Sequence, residues 1–420
     1  MRLHVLLLSL LLPTSASAQG GTALTPAARP EDVGLSAQRL ERIDAMVEGL
    51  VATGEIPGAV VFIARDGNIA YHRAYGVRNT ETGEPLRPDD IFRIASQSKA
   101  ITSLAVMMLW EEGRFLLDDP VSRYIAEFAD PTVLTAFNAA DTTYETEPAT
   151  SEITIRQLLT HTSGIDYAVI GSEAFNAIYA KAGVPSGIGS DEDRIGDKMS
   201  LLATLPLKHQ PGERFTYGLN TDVLGYLVEV LSGQPFDEFL RTRIFDPLGM
   251  DDTWFYLPDG KHDRLVTLHD GKSGTAVPID GEAYDENPAY PTFDGTYFSG
   301  GAGLSSTVVD YAVFLQLFLN GGEYAGVRLL SPKTVALMLT DQLPDLPNEF
   351  GLGFGLETEA NDYQSPLSIG SFSWGGAFNT HYWADPEERL VALIYTNIYN
   401  TEHWNIGERF RVLTYQAIVR

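Results

Sequence analysis

What most constrains this chain is where its strand-like stretches fall: near its two ends, with helix-like stretches between them. Near the start, Ala59-Val-Val-Phe-Ile-Ala64 and Ile69-Ala-Tyr-His-Arg-Ala-Tyr75 flank Arg65-Asp-Gly-Asn68. Two apolar runs around an Asp-Gly pair predict a β-hairpin. Near the end, His381-Tyr-Trp-Ala384 and Leu390-Val-Ala-Leu-Ile-Tyr395 flank Asp385-Pro-Glu-Glu388 and predict a second strand pair. Helical spacing comes elsewhere. Leu40, Ile43, Met46, Val47, Leu50 and Val51 follow Ser36, a suitable N-cap, and Pro57-Gly58 ends the pattern. Residues 97–113 predict an apolar helix, with Ile101, Leu104, Ala105, Met108 and Leu109 on one face. Further helices are predicted over 220–233, 235–245, 307–320 and 402–418. The economical solution is an α+β fold, with one antiparallel sheet assembled from both chain ends and a helical domain inserted between them. The expected division is a signal segment at 1–18 and a loose lead-in at 19–35. An α/β domain follows from 36–95 and 300–420, and a mostly helical domain from 96–299 with a long loop at 257–298. A chain of 420 residues is long enough to bury such a core.

Charge and composition remove several classes of function. The net charge of −27 repels nucleic acid phosphates and anionic lipid, although solubility alone also accounts for it. With no cysteine there is no disulfide, no thiolate nucleophile and no Cys-ligated metal. The eight histidines are scattered and form no H-E-x-x-H, so the sequence calls for no metal and no cofactor. Arg2 and His4 precede the apolar run Val5–Leu12, and Ala16 and Ala18 give an A-x-A pattern. This predicts an export signal cleaved after Ala18, leaving a periplasmic or secreted protein. The run is too short to span a bilayer.

Three segments can carry chemistry. Ser96-Gln97-Ser98-Lys99 opens the apolar helix, and residues i and i+3 share a helix face, so the hydroxyl and the amine can meet. A lysine buried beside an apolar wall loses its proton more readily and can serve as a base. The same tetrad also reads as a serine cap followed by a solvated lysine, and half a match is expected by chance with seven lysines. Tyr217, after the Pro211-Gly212 turn, offers a phenol that can relay a proton beside an ammonium, and it also reads as an amphipathic core residue. Ser373-Trp374-Gly375-Gly376-Ala377 precedes the last strand pair. Its glycines allow close backbone approach, so an N–H can face a substrate oxygen, and they equally suit a bulge. No G-x-S-x-G occurs, which argues against an α/β-hydrolase.

Taken in order, these segments resemble the serine β-lactamase and penicillin-binding-protein superfamily, in particular class C β-lactamases and the related family VIII carboxylesterases. The resemblance runs from about 31 to 418. It rests on Phe92-Arg-Ile-Ala-Ser96-Gln-Ser-Lys99, Leu158-Leu-Thr-His-Thr-Ser-Gly-Ile165, Tyr217, Asp246-Pro-Leu-Gly-Met250, Gly300-Gly-Ala-Gly-Leu304 and Trp374-Gly-Gly376. It implies a β-lactamase/transpeptidase-like fold and a serine hydrolase that forms an acyl-enzyme. Ser96 would attack a carbonyl, Lys99 and Tyr217 would act as base and then acid, and the N–H groups of Ser96 and Ala377 would hold the oxyanion. Trp374, Gly375, Gly376 and Asn220 would bind substrate. His161 belongs to a segment that is structural in that family.

Two departures bear on substrate. Position 219 is Leu where the β-lactamase pattern Tyr-x-Asn has Asn, with Asn220 one place later. Trp374 stands where that family has Lys or His, and it offers an apolar wall but no ion pair to a carboxylate. Trp-Gly-Gly resembles the carboxylesterase branch, so the expected substrate is a compact or short-acyl ester, with Phe372 and Phe378 lining its pocket. The alternatives are a β-lactamase or D-Ala-D-Ala-type peptidase, which needs a cation from the 257–298 loop, and a non-catalytic cell-wall-binding homologue. The expected partner is a small ester or amide, with no nucleic acid and no membrane span.

Overall fold

The computed structural model describes residues 23–189, 192–279 and 287–420. The signal segment 1–18 lies outside the described residues, as do residues 280–286 of the long loop. Among the described residues, eight strands form the central sheet. They are β1 (Thr25–Pro26), β2 (Gly58–Arg65), β3 (Asn68–Asn79), β4 (Glu84–Pro85), β5 (Gly355–Leu356), β6 (Phe372–Gly376), β7 (Thr380–Asp385) and β8 (Leu390–Tyr395). Their order is β1-β3-β2-β8-β7-β6-β5, with β4 beside β3. All pairs are antiparallel except β1 with β3. The lead-in, read as loose, is from residue 23 fastened to the sheet edge, with Ala27 N–H donating to the Ile69 carbonyl.

The join between the chain ends is the pairing of β2 with β8, from Val60↔Tyr395 to Arg65↔Leu390. Both strands are buried along their whole length. Alternation then sends Val60, Phe62, Ala64, Val391, Leu393 and Tyr395 to the front core, and Ala59, Val61, Ile63, Ala392 and Ile394 to the rear one. The β2–β3 turn forms at Asp66 and Gly67, with φ of 55° and 73°, the pair of positive values that a tight hairpin requires.

Five helices matter for the site. The rear is covered by α1 (Ala37–Ala52), capped by Ser36 accepting from Arg39 N–H, together with α5 (Ile406–Tyr415). The helix α5 is shorter than the 402–418 read from the pattern, because residues 402–405 form a turn. The front is covered by α4 (Val308–Leu319), apolar nearly all round. The helix α2 (Ser98–Glu111) is buried on every side and packs against α3 (Asn220–Ser232). A two-stranded ribbon, Thr132–Asn138 with Thr143–Pro148, stands in the stretch read as helix and loop. No described helix is long and apolar enough to cross a membrane.

Candidate active site

The site lies where the turn entering α2 meets the end of β6. A 3-10 turn, Ala95–Gln97, presents Ser96, and Ala95 holds an unfavourable φ of 43°. The turn is fixed on several sides. Ser98 Oγ donates to the Ala95 carbonyl at 2.7 Å, Tyr395 Oη donates to Gln97 Oε1 at 2.5 Å, and Ile94 N–H donates to the Leu304 carbonyl at 3.0 Å. Gly376 explains why β6 can come so close. A Cβ there would stand 2.3 Å from the Ile94 carbonyl oxygen and 2.4 Å from Thr380 Oγ1. The missing side chain lets Ala377 share a pocket of about 60 Å³ with Ser96.

One helical turn on, Lys99 is almost wholly buried, and each of its three N–H groups has an acceptor. Lys99 Nζ donates to the Gly301 carbonyl at 2.7 Å, to Tyr167 Oη at 3.1 Å and to Ser96 Oγ at 3.4 Å. It also sits 4.6 Å from the centre of the Tyr217 ring. Lys99 thus meets both Ser96 and Tyr217. The expected loss of the lysine's proton is not favoured. Burial works against the ammonium, but the Tyr167 and Tyr217 phenols and the Asp222 carboxylate outweigh it and raise the pKa of Lys99.

Tyr167 is the residue that sequence reasoning missed. It lies on the loop after the Leu158–Ile165 segment, buried, with its ring 5.5 Å from that of Tyr217. Burial raises the pKa of its phenol, despite the neighbouring Lys99. Gly218 brings the two rings together, because a Cβ there would lie 2.1 Å from the Ile165 carbonyl oxygen. His161 closes the other side of Tyr217 at 4.9 Å between ring centres, and burial holds its pKa well below the usual value.

Two expected substrate contacts are corrected. Asn220 is fully buried, with its Nδ2 donating to His161 Nδ1 at 3.0 Å and its Oδ1 accepting from Ser163 Oγ. Both ends of the amide are spent inside the protein, so it cannot contact substrate. Phe372 points into the front core against Phe318 and Phe354, away from the pocket. Phe378 does line it, with Tyr167, Val169, Ile170, Ser186, Ile188 and Tyr399. Trp374 lies 5.7 Å from Tyr217 between ring centres, tilted by 39°, and with Gly375 and Gly376 it stands outside the lining of this pocket. Of the loop cations, Lys261 and Arg264 are engaged with Asp252 at 2.6 and 2.7 Å, and Lys272 is exposed.

This geometry places a hydroxyl, an ammonium and a phenol together beside a backbone edge, which is the equipment for attack on a carbonyl. Comparison with known proteins agrees. A family model described as Beta-lactamase matches residues 43–416. An uncharacterized protein of Mycobacterium tuberculosis is 34% identical over 84% of this chain and 89% of its own. Esterase EstB of Burkholderia gladioli is 31% identical over 85% of this chain and 90% of its own. The solved structure of EstCE1, described as a hydrolase with promiscuous acyltransferase activity, superposes with a TM-score of 0.78 at 27% identity, covering 90% of this chain and 99% of that one. The chain has the β-lactamase/transpeptidase-like α+β fold and belongs to the beta-lactamase family.

Proposed function

We propose that this serine hydrolase is a carboxylesterase acting on compact, uncharged esters through an acyl-enzyme at Ser96. One observation carries the reading. Lys99 is the cation at the site, and its three N–H groups are committed to Ser96, Tyr167 and Gly301, leaving none for a substrate carboxylate. Val169, Ile170, Ile188, Phe378 and Tyr399 make the pocket apolar, and Trp374 offers no charge. An acid-bearing β-lactam or peptide C-terminus would enter without an ion-pair partner, against a net charge of −27. The similarity to an esterase of Burkholderia gladioli supports the same class.

In the proposed reaction Ser96 Oγ attacks the ester carbonyl, and its proton passes to the phenolate of Tyr217 while Lys99 stays charged beside it. The N–H groups of Ser96 and Ala377 receive the oxyanion, an arrangement in which one donor is worth about 3–4 kcal/mol. Collapse of the tetrahedral intermediate expels the alkoxide, which takes the proton from Tyr217. Water then attacks the acyl-enzyme, gives its proton to Tyr217, and Ser96 leaves by taking that proton back.

The test is labelling with a fluorophosphonate followed by peptide mapping, together with turnover of p-nitrophenyl butyrate and a chromogenic cephalosporin. The label is expected on Ser96, and ester turnover is expected to vanish in Ser96→Ala. A label elsewhere, or cephalosporin turnover outpacing ester turnover, would overturn the reading. The apolar run Val5–Leu12 and the pair Ala16 and Ala18 support a further proposal, that the protein is exported and trimmed after Ala18. A mature N-terminus other than Gln19, or retention in the cytoplasm, would refute that.

A further inference from the structure

The mechanism leaves one buried charge unused. Asp222, in the first turn of α3, is fully buried. Its Oδ1 accepts from Ser299 Oγ at 2.6 Å, and its Oδ2 makes no well-formed hydrogen bond among the described residues, although the Gly301 backbone N–H lies close enough to favour its charge. A carboxylate in that condition is costly, and burial raises its pKa while the nearby Lys99 charge lowers it. An oxygen so placed beside a buried ammonium calls for an ion pair, yet none forms.

The Gly301 peptide is what prevents the pair from closing. A Cβ on Gly301 would stand 2.5 Å from Asp222 Oδ2 and 3.4 Å from Lys99 Nζ, so the two charged atoms are at most about 6 Å apart. The Gly301 carbonyl takes the Lys99 N–H that would otherwise reach the carboxylate. The amine feels the negative charge but keeps its other two N–H groups aimed at Ser96 and Tyr167. Only glycine fits between them. This accounts for Gly301, while Gly300 is required by the Thr221 carbonyl, 2.5 Å from where its Cβ would stand.

We propose that Asp222 is a positioning residue for Lys99, holding the amine charged and in place from across the Gly301 peptide without bonding to it. The proposal rests on the Ser96, Lys99 and Tyr217 reading above. The Asp222 charge is one of the causes that raise the pKa of Lys99. Without that charge, the amine loses its proton at lower pH.

The test compares the pH dependence of kcat/KM for p-nitrophenyl butyrate in the full chain, in Asp222→Asn and in Ser299→Ala, with thermal melting as the check on folding. An opposite charge at this range moves a titration by about one to three pH units. The limb that the amine sets is therefore expected to move down by about that much in Asp222→Asn. It is expected to move in the same direction by less in Ser299→Ala, where the carboxylate loses the hydroxyl that favours its charge. Plateau activity is expected to fall at least about tenfold in Asp222→Asn, as the amine leaves its three acceptors. Limbs that superimpose on the parent profile, whatever their height, would overturn the proposal. If Asp222→Asn does not fold, the Ser299→Ala profile decides. If the parent protein turns over no ester, the esterase reading fails by itself, and the pH dependence of fluorophosphonate labelling of Ser96 carries the same comparison.

Discussion

Replacing Tyr167 with phenylalanine tests the proposed proton-transfer cluster at the residue least visible beforehand. The substitution keeps the ring, and with it the contact to Tyr217 at 5.5 Å and the pocket wall. It removes one oxygen, the acceptor 3.1 Å from Lys99 Nζ. Lys99 is 4% exposed, so water cannot readily take that place, and one N–H of a buried ammonium is left facing a ring edge. A hydrogen bond to a charged group is worth about 1.5–3 kcal/mol. At 1.36 kcal/mol per tenfold, that loss corresponds to about 10- to 150-fold in kcat/KM if Lys99 must be held in place at the transition state. Removing the proposed proton acceptor, in Tyr217→Phe, is expected to cost about 10²- to 10⁴-fold. The assay is p-nitrophenyl butyrate hydrolysis near neutral pH, with kcat and KM separated and thermal melting run in parallel. KM is expected to change by less than about twofold, since the wall is intact. A Tyr167→Phe protein with parental kcat/KM, or one that loses activity through KM alone, would refute the assignment.

Other outcomes follow from single contacts. Gly376→Ala is expected to drive β6 from the Ala95–Gln97 turn and lower kcat by about a hundredfold or more, whereas Gly375→Ala, whose Cβ would meet nothing closer than 3.2 Å, is expected to lose far less. Parental kcat in Gly376→Ala would show that the close approach is not needed. Asn220→Ala strips partners from His161 and Ser163, so urea unfolding is expected to show a loss of about 2–4 kcal/mol with KM for ester unchanged; a raised KM at full stability would put Asn220 back against substrate. Asp310 bears on stability and pH. Burial pushes its folded pKa from 3.8 to about 6, although Asp252 N–H and Thr253 Oγ1 donate to its Oδ2 at 2.8 and 2.9 Å. The folded protein thus holds this proton more tightly than the unfolded chain, a contribution complete below pH 3.8 and lost as pH rises through about 6. Asp310→Asn can keep both acceptor contacts, and it is expected to be more stable than the parent by up to about 3 kcal/mol at pH 8, with the gain gone by pH 4. An equal difference at both pH values, or none at pH 8, would contradict this.

Much of the frame could be read from local order. Apolar spacing located α1, α2, α3 and α4, and the Asp66-Gly67 pair located the hairpin, because these elements depend on neighbours a few residues apart. The Ser96–Lys99 contact was legible for the same reason. Tyr167 was not, since only the tertiary path of its loop carries it to Lys99. Asn220 misled because one residue at a helix start turns a side chain by about 100°, here into the protein and onto His161. The direction of the Lys99 shift was misjudged because Tyr167, Tyr217 and Asp222, which raise its pKa, lie far along the chain and meet it only in the fold. The ribbon at 132–148 has no Asn-Gly or Asp-Gly turn; its tight corner falls on Thr142, at a φ of 60°, a residue that rarely announces one.

The seam between β2 and β8 has a consequence for how the molecule comes into being. During synthesis the β2–β3 hairpin emerges well before β8, its neighbour in the sheet, so the sheet can close only after the long intervening stretch has been made. The seam is also where the described ends meet: Ser36 N–H reaches the Ala417 carbonyl at 2.8 Å, and Val419 N–H reaches that of Gly34 at 2.9 Å. Loss of residues 417–419 would therefore unfasten α1 along with α5.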